Sequence, residues 1–123
     1  SAASDVYKRQ VYNEAFSELD VDLILSGHDH LYARTYLMKG MKSTGNASGL
    51  KKQGETLYLS GTSSTGSKFY EKESGKKGYI AFYDGETEKT PLISAITIQG
   101  KTLTIKTVRT TDMSVFDEIT IRK

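Results

Sequence analysis

The chain has 123 residues, enough for one domain with its own core. Its 17 basic and 15 acidic side chains leave a net charge of +2, and the lysines are spread through loops instead of lining one periodic face, which excludes the footprint of a nucleic-acid binder. The absence of cysteine excludes disulfides and thiolate metal sites, and no apolar run approaches the roughly 20 residues of a membrane-spanning helix.

The first ten residues, "SAASDVYKRQ", are polar and, apart from Tyr7, carry no extension of the apolar pattern that follows. "DVYKRQ" is similar to a peptide that translated sequencing-adaptor DNA yields at the ends of assembled gene fragments, so residues 1–10 are expected to be a non-native leader. In "VYNEAFSEL", Val11, Ala15, Phe16 and Leu19 recur at helical spacing and predict a short amphipathic helix with its apolar stripe facing a sheet. Asp20 and Asp22 flank Val21 in a tight turn, and the apolar run Leu23 to Leu25 predicts a strand buried on both faces. The run stops at Ser26 and Gly27. His28, Asp29 and His30 therefore fall at or just beyond the strand's C-terminal end, the edge where open α/β sheets place ligands.

Gly40 to Gly54, "GMKSTGNASGLKKQG", is rich in Gly, Ser and Lys and reads as a long surface loop. Five successive strands are predicted after it, at Thr56 to Gly61, Gly78 to Gly85, Leu92 to Gly100, Thr102 to Thr110 and Val115 to Lys123. Short links such as "IQGKT" imply antiparallel hairpins. In the last strand Val115, Ile119 and Ile121 share one parity and Glu118, Thr120 and Arg122 the other, as in a half-exposed strand. The expected class is α+β or α/β: one helix and one buried strand, then a mostly antiparallel sheet.

His28 and His30 are the chain's two histidines. In an extended segment residues i and i+2 project to the same side, so both rings can aim into one space while Asp29 turns away. Two metals about 3.5–4 Å apart, the spacing of two-metal phosphatase sites, could each take one imidazole. The bland alternative is a pair of loop histidines with no ligand role. The parity of Asp29 favours a bond to the turn backbone over orienting an imidazole. Tyr32 and Arg34 share the histidines' parity and have two readings, contact with a phosphate or packing and solvation at the strand's edge. "SGTSSTGSKF", Ser60 to Phe69, has the glycines and hydroxyls of an anion cradle, with Lys68 as counter-charge, but without P-loop spacing or a following helix it reads as a plain loop. Tyr58, Phe69, Tyr70, Tyr79, Phe82 and Tyr83 sit in or beside strands and read as core and cross-strand partners.

"VDLILSGHDHLYART" resembles the last signature block of the calcineurin-like metallophosphoesterases, where an apolar strand runs into G-H-x-H. The continuation H-x-Y-x-R, with Tyr32 and Arg34, looks like the purple acid phosphatase branch. "TLYLSGTSSTGSKFY" and "TIKTVRTTDMSVFDEITIRK" are similar to the C-terminal part of bacterial members. The resemblance implies that residues 11–123 are the C-terminal portion of a catalytic domain built as a two-sheet sandwich with helices outside. It also implies hydrolysis of phosphoric esters at a dinuclear centre of iron, zinc or manganese, and an extracellular or cell-envelope location. His28 would ligate one metal and His30 the other, as metal ligands and catalytic residues.

The family's D-x-H, G-D-x-x-Y and G-N-H-[DE] blocks are absent from the chain. A metal ion seeks four to six donors, and two imidazoles supply one per metal in a paired site, so the chain alone is expected to be inactive. The expected partners are a phosphate ester substrate and the missing N-terminal half of the same domain, with neither nucleic acid nor membrane. An exposed apolar patch near Leu23 to Leu25 is expected where that half would sit. The rival reading is a non-catalytic β-rich binding or interaction domain that retains the block as scaffold.

Overall fold

Helix α1 (Ala2–Glu18) leads the chain, and its C-terminus shows how sequence sets local geometry. Val21 N–H bonds the Phe16 carbonyl at 3.0 Å and Asp20 N–H bonds that of Ser17 at 3.1 Å, the two bonds of a Schellman cap. Asp20 occupies its left-handed position at φ 55° in place of the usual glycine. Its carboxylate accepts from Gly54 N–H at 2.8 Å and from Lys51 Nζ at 2.6 Å, which ties the helix end to the loop before the central strand. The computed structural model describes residues 2–27, 32–62, 64, 78–84 and 90–123.

The strands are β1 (Leu23–Ser26), β2 (Tyr32–Thr35), β3 (Met38–Lys39), β4 (Lys42–Ser43), β5 (Gly49–Leu50), β6 (Glu55–Ser60), β7 (Ile80–Asp84), β8 (Leu92–Gln99), β9 (Thr102–Arg109) and β10 (Val115–Arg122). Among the described residues they form two sheets. In the six-stranded sheet, β6 pairs parallel with β1 on one side (Leu23↔Leu57 to Ser26↔Ser60) and antiparallel with β2 and β3 on the other. Strands β7 and β4 extend it beyond β2 and β3. The four-stranded sheet runs β5-β10-β9-β8, with antiparallel pairing except between β5 and β10. One helix with mostly antiparallel sheets is the class expected from the sequence.

The sheets meet through Tyr32, Leu57 and Leu59 on one side and Leu92, Ile105, Ile119 and Ile121 on the other, all buried. Each fully buried aliphatic side chain of this kind contributes roughly 1.5–3 kcal/mol relative to exposure. Phe82 and Phe116 stand edge-on to the Tyr32 ring, with centroids at 5.7 and 5.2 Å. Helix α1 lies on the other face of β6, where Phe16 meets Tyr58 at 6.4 Å.

Four expectations need correction. The helix begins at Ala2, not near Val11, because Ala, Lys, Arg and Gln favour helix without any apolar stripe. The loop Gly40 to Gly54 contains β4 and β5, two-residue strands too short to leave a periodic signature. Strand β1 is not buried on both sides: β6 pairs with one edge, and Leu25 is 55% exposed. In β10 a bulge between Val115 and Asp117 reverses the alternation, so Ile119 and Ile121 face the core while Val115 is 47% exposed.

Candidate functional site

Strands β1 and β6 run parallel, so their C-terminal ends share one edge of the sheet. Gly61 N–H bonds the Ser26 carbonyl at 3.0 Å and carries that ladder one step past the strands, placing Gly27 beside Gly61 and Thr62. Strand β2, beginning at Tyr32, pairs with the opposite side of β6. His28 and His30, the expected metal ligands, lie outside the described residues, as do Asp29 between them, Phe69, Tyr70 and most of the Ser60 to Phe69 loop.

Of the two readings of Tyr32 and Arg34, the structure supports packing, in the core and not at a solvated edge. They are buried between the sheets, with Tyr32 1% exposed. Arg34 clamps Asp117 of β10 in a fork, Nε to Oδ2 at 2.8 Å and Nη2 to Oδ1 at 3.1 Å. The Tyr32 hydroxyl donates to the same Oδ2 at 2.8 Å and lies 3.2 Å from Thr107 Oγ1, itself 2.6 Å from Ser94 Oγ. A phenol has one proton, and it serves Asp117, so Thr107 donates to Tyr32 and Ser94 to Thr107. Burial, reinforced by the Asp117 carboxylate, raises the Tyr32 pKa well above the ordinary phenol value. Asp117 continues the inward parity of Ile119 and Ile121, and that was the sequence signal that could have revealed the cluster.

A second charged cluster sits at the other end of β1. Lys51, almost fully buried, reaches Asp20 Oδ1 at 2.6 Å and Asp22 Oδ1 at 3.0 Å, and Lys123 reaches Asp22 Oδ2 at 3.0 Å. Burial opposes the lysine's charge, but the two aspartates outweigh it and raise its pKa. A cavity of about 320 Å³ opens beside them, floored by Ile98, Leu103 and Ile121. Among the described residues Tyr58 OH and Ser60 Oγ are buried without a hydrogen-bond partner, and burial pushes the Tyr58 phenol up to about 12.

Among the described residues, no group of three or more His, Cys, Asp or Glu side chains could hold a metal ion. Asp20 and Asp22 are engaged by lysines, and Asp117 by Arg34 and Tyr32. The described residues therefore do not supply the shell of a dinuclear centre.

No protein-family model matches the chain, and no curated protein matches it. Among solved structures it is similar to the purple acid phosphatase PPD1 isolated from yellow lupin (Lupinus luteus) seeds, with a TM-score of 0.73 and 19% sequence identity over 89% of this chain. The chain spans 19% of that phosphatase's length. At this identity the likeness is one of fold: the helix and sheets match the C-terminal part of a purple acid phosphatase domain.

Proposed function

We propose that the chain is the C-terminal part of a metal-dependent phosphoric ester hydrolase of the purple acid phosphatase type, in which His28 and His30 each donate to one ion of a dinuclear iron, zinc or manganese centre. The observation that carries this reading is the setting of the G-H-x-H block. Its glycine leaves β1 where two parallel strands end together, in a fold shared with a purple acid phosphatase. The substrate is a phosphate ester, and the resemblance adds an extracellular or envelope location.

Two imidazoles meet only part of what two ions require, so the chain alone is inactive and no catalytic step is assigned to it. An upstream half of the same domain supplies the remaining donors. Support comes from the sheet edges that no described strand covers: Leu25 on β1 is 55% exposed, while Ile96 and Ile98 on β8 are 39% and 69% exposed. Strand β8 carries neither charge nor proline from Leu92 to Gln99, the devices that normally protect a free edge. A non-catalytic binding domain that keeps the block as scaffold is the second reading.

The coding sequence upstream of Val11 separates the two. The enzyme reading expects aspartates, an asparagine and a further histidine there, in D-x-H, G-D-x-x-Y and G-N-H-[DE] blocks. A native upstream sequence without them overturns it. The purified chain supplied with zinc, manganese or iron should hydrolyse a chromogenic phosphate ester no faster than the metal alone.

A further inference from the structure

We propose that the cavity beside Lys51 binds an aliphatic monocarboxylate, its chain resting on Ile98, Leu103 and Ile121 and its head held at the mouth by Lys101 and Arg122. The site is independent of the histidine block: it lies at the other end of β1 and is lined by described residues. Its floor follows from strand register. Ile98 pairs with Leu103 and Leu103 with Ile121, so the three side chains form one row on the inner face of β8, β9 and β10. Cover over that face thins along β8, where Leu92 is 5% exposed, Ile96 39% and Ile98 69%. At the thin end a cavity of about 320 Å³ is left open, with Ile121, 3% exposed, at its deep side and Ile98 at its mouth. A strand added at the β8 edge pairs in the plane of the sheet, whereas the cavity lies on the sheet's inner face.

The walls narrow the chemistry of the occupant. Four cationic residues line the cavity, Lys51, Lys101, Arg122 and Lys123, against one carboxylate, Asp22. Lys51 is already balanced by Asp20 and Asp22, and Lys123 is paired with Asp22. Lys101 and Arg122, both exposed, have no carboxylate partner among the described residues. The surplus positive charge therefore sits at the rim, where a bound anion stays partly hydrated and avoids the cost of burying a charge. Asp22 in the wall repels a doubly charged head more than a singly charged one, which selects a monoanion such as a carboxylate. Among the described residues no aromatic ring lines the cavity, so nothing stacks on a planar ligand, while the aliphatic row matches a methylene chain. The volume is at the small end of the roughly 300–1,000 Å³ of ligand pockets, which suits a short-tailed acid and not a peptide or a whole lipid.

Equilibrium dialysis of the full chain against radiolabelled butanoate, hexanoate, octanoate and dodecanoate tests the assignment. Burying one methylene is worth roughly a three- to fourfold gain in affinity, so Kd should fall by about that factor per added carbon through the shorter acids and level off once the cavity is full. Octanol, which has the chain without the charge, should bind more weakly than octanoate. Lys101→Glu should weaken octanoate roughly fivefold, the upper end of what an exposed ion pair contributes. Ile98→Asp, which sets a carboxylate at the mouth, should weaken it as well. Both positions are exposed, so the core is untouched and either variant can carry the test alone. Ile93→Asp is the control: Ile93 is 51% exposed on the same strand but alternates to the outer face, away from the cavity, and its variant should keep wild-type affinity. The proposal is overturned by any of four results: no saturable binding of octanoate, octanol binding as tightly as octanoate, a gain that runs on undiminished to dodecanoate, or equal losses in Ile98→Asp and Ile93→Asp. The last two are the marks of adsorption to apolar surface in general.

Discussion

Arg34 on β2 and Asp117 on β10 form a two-pronged ion pair between the sheets, Nε to Oδ2 at 2.8 Å and Nη2 to Oδ1 at 3.1 Å, with each side chain more than nine-tenths buried. Removing one partner leaves the other charge buried and unpaired. Arg34→Ala and Asp117→Ala should therefore each cost about 3–5 kcal/mol, while the double change Arg34→Met with Asp117→Leu costs less than either. Urea unfolding midpoints of the three variants decide this. A double variant as unstable as the sum of the singles would show that the pair contributes nothing mutual.

Lys51 should matter more than Lys123, although both pair with Asp22. Lys51 is almost wholly buried and holds two aspartates, while Lys123 is half exposed and screened by water. Lys51→Ala is expected to cost roughly 1–3 kcal/mol, less than a fully buried pair because both aspartates stay a third exposed. Lys123→Ala should cost less than about 1 kcal/mol. Chemical denaturation of the two variants compares them directly, and equal losses would contradict the burial argument.

Stability should fall at both ends of the pH scale, for opposite reasons. The Lys51 hydrogen bond and the Gly54 N–H hold Asp20 below its ordinary 3.8, so its contribution is present above about pH 3.8 and lost as pH falls through the folded value. Burial pushes Tyr58 from 10.0 up to about 12 and raises Tyr32 as well. Groups raised in the fold give their full contribution below the unfolded value and lose it as pH climbs toward the folded one. The thermal midpoint should therefore begin to drop above about pH 10, and Tyr58→Phe should flatten that limb. An alkaline limb unchanged in Tyr58→Phe would show that the phenol is not responsible.

The edge of β8 should drive self-association of the isolated chain. Ile98, 69% exposed beside the open cavity, is the natural place for a guarding charge. Ile98→Lys is expected to lower the sedimenting or light-scattering aggregate fraction with a stability change within about 0.5 kcal/mol. Aggregation that persists unchanged would move the sticky surface elsewhere.

Legibility followed the range of the interactions. The hairpin from β8 through β10 could be read because alternation and the glycine-containing link "IQGKT" are local signals, and β1 because three successive apolar residues stop at Ser26 and Gly27. Strand β2 was hidden: "YART" has no clear alternation, since its arginine is buried by a partner 83 residues away. Val115 misled because a bulge is invisible to a parity count. Lys51 sits in a polar stretch with no period, and only the folded chain brings Asp20 and Asp22 to it. At the candidate site the sequence supplied the histidine pair and the glycine before it, whereas the partners of Asp117 are set by a contact between sheets, of which its inward parity with Ile119 and Ile121 is the one local trace.

X-ray absorption at the zinc edge tests the central claim, that His28 and His30 are donors to a metal centre which other residues complete. Zinc added to the purified chain should show imidazole scattering at about 2.0–2.1 Å together with light oxygen donors. The imidazole component should vanish in the His28→Ala, His30→Ala double variant. Identical spectra from wild type and the double variant, with no imidazole component in either, would contradict the account.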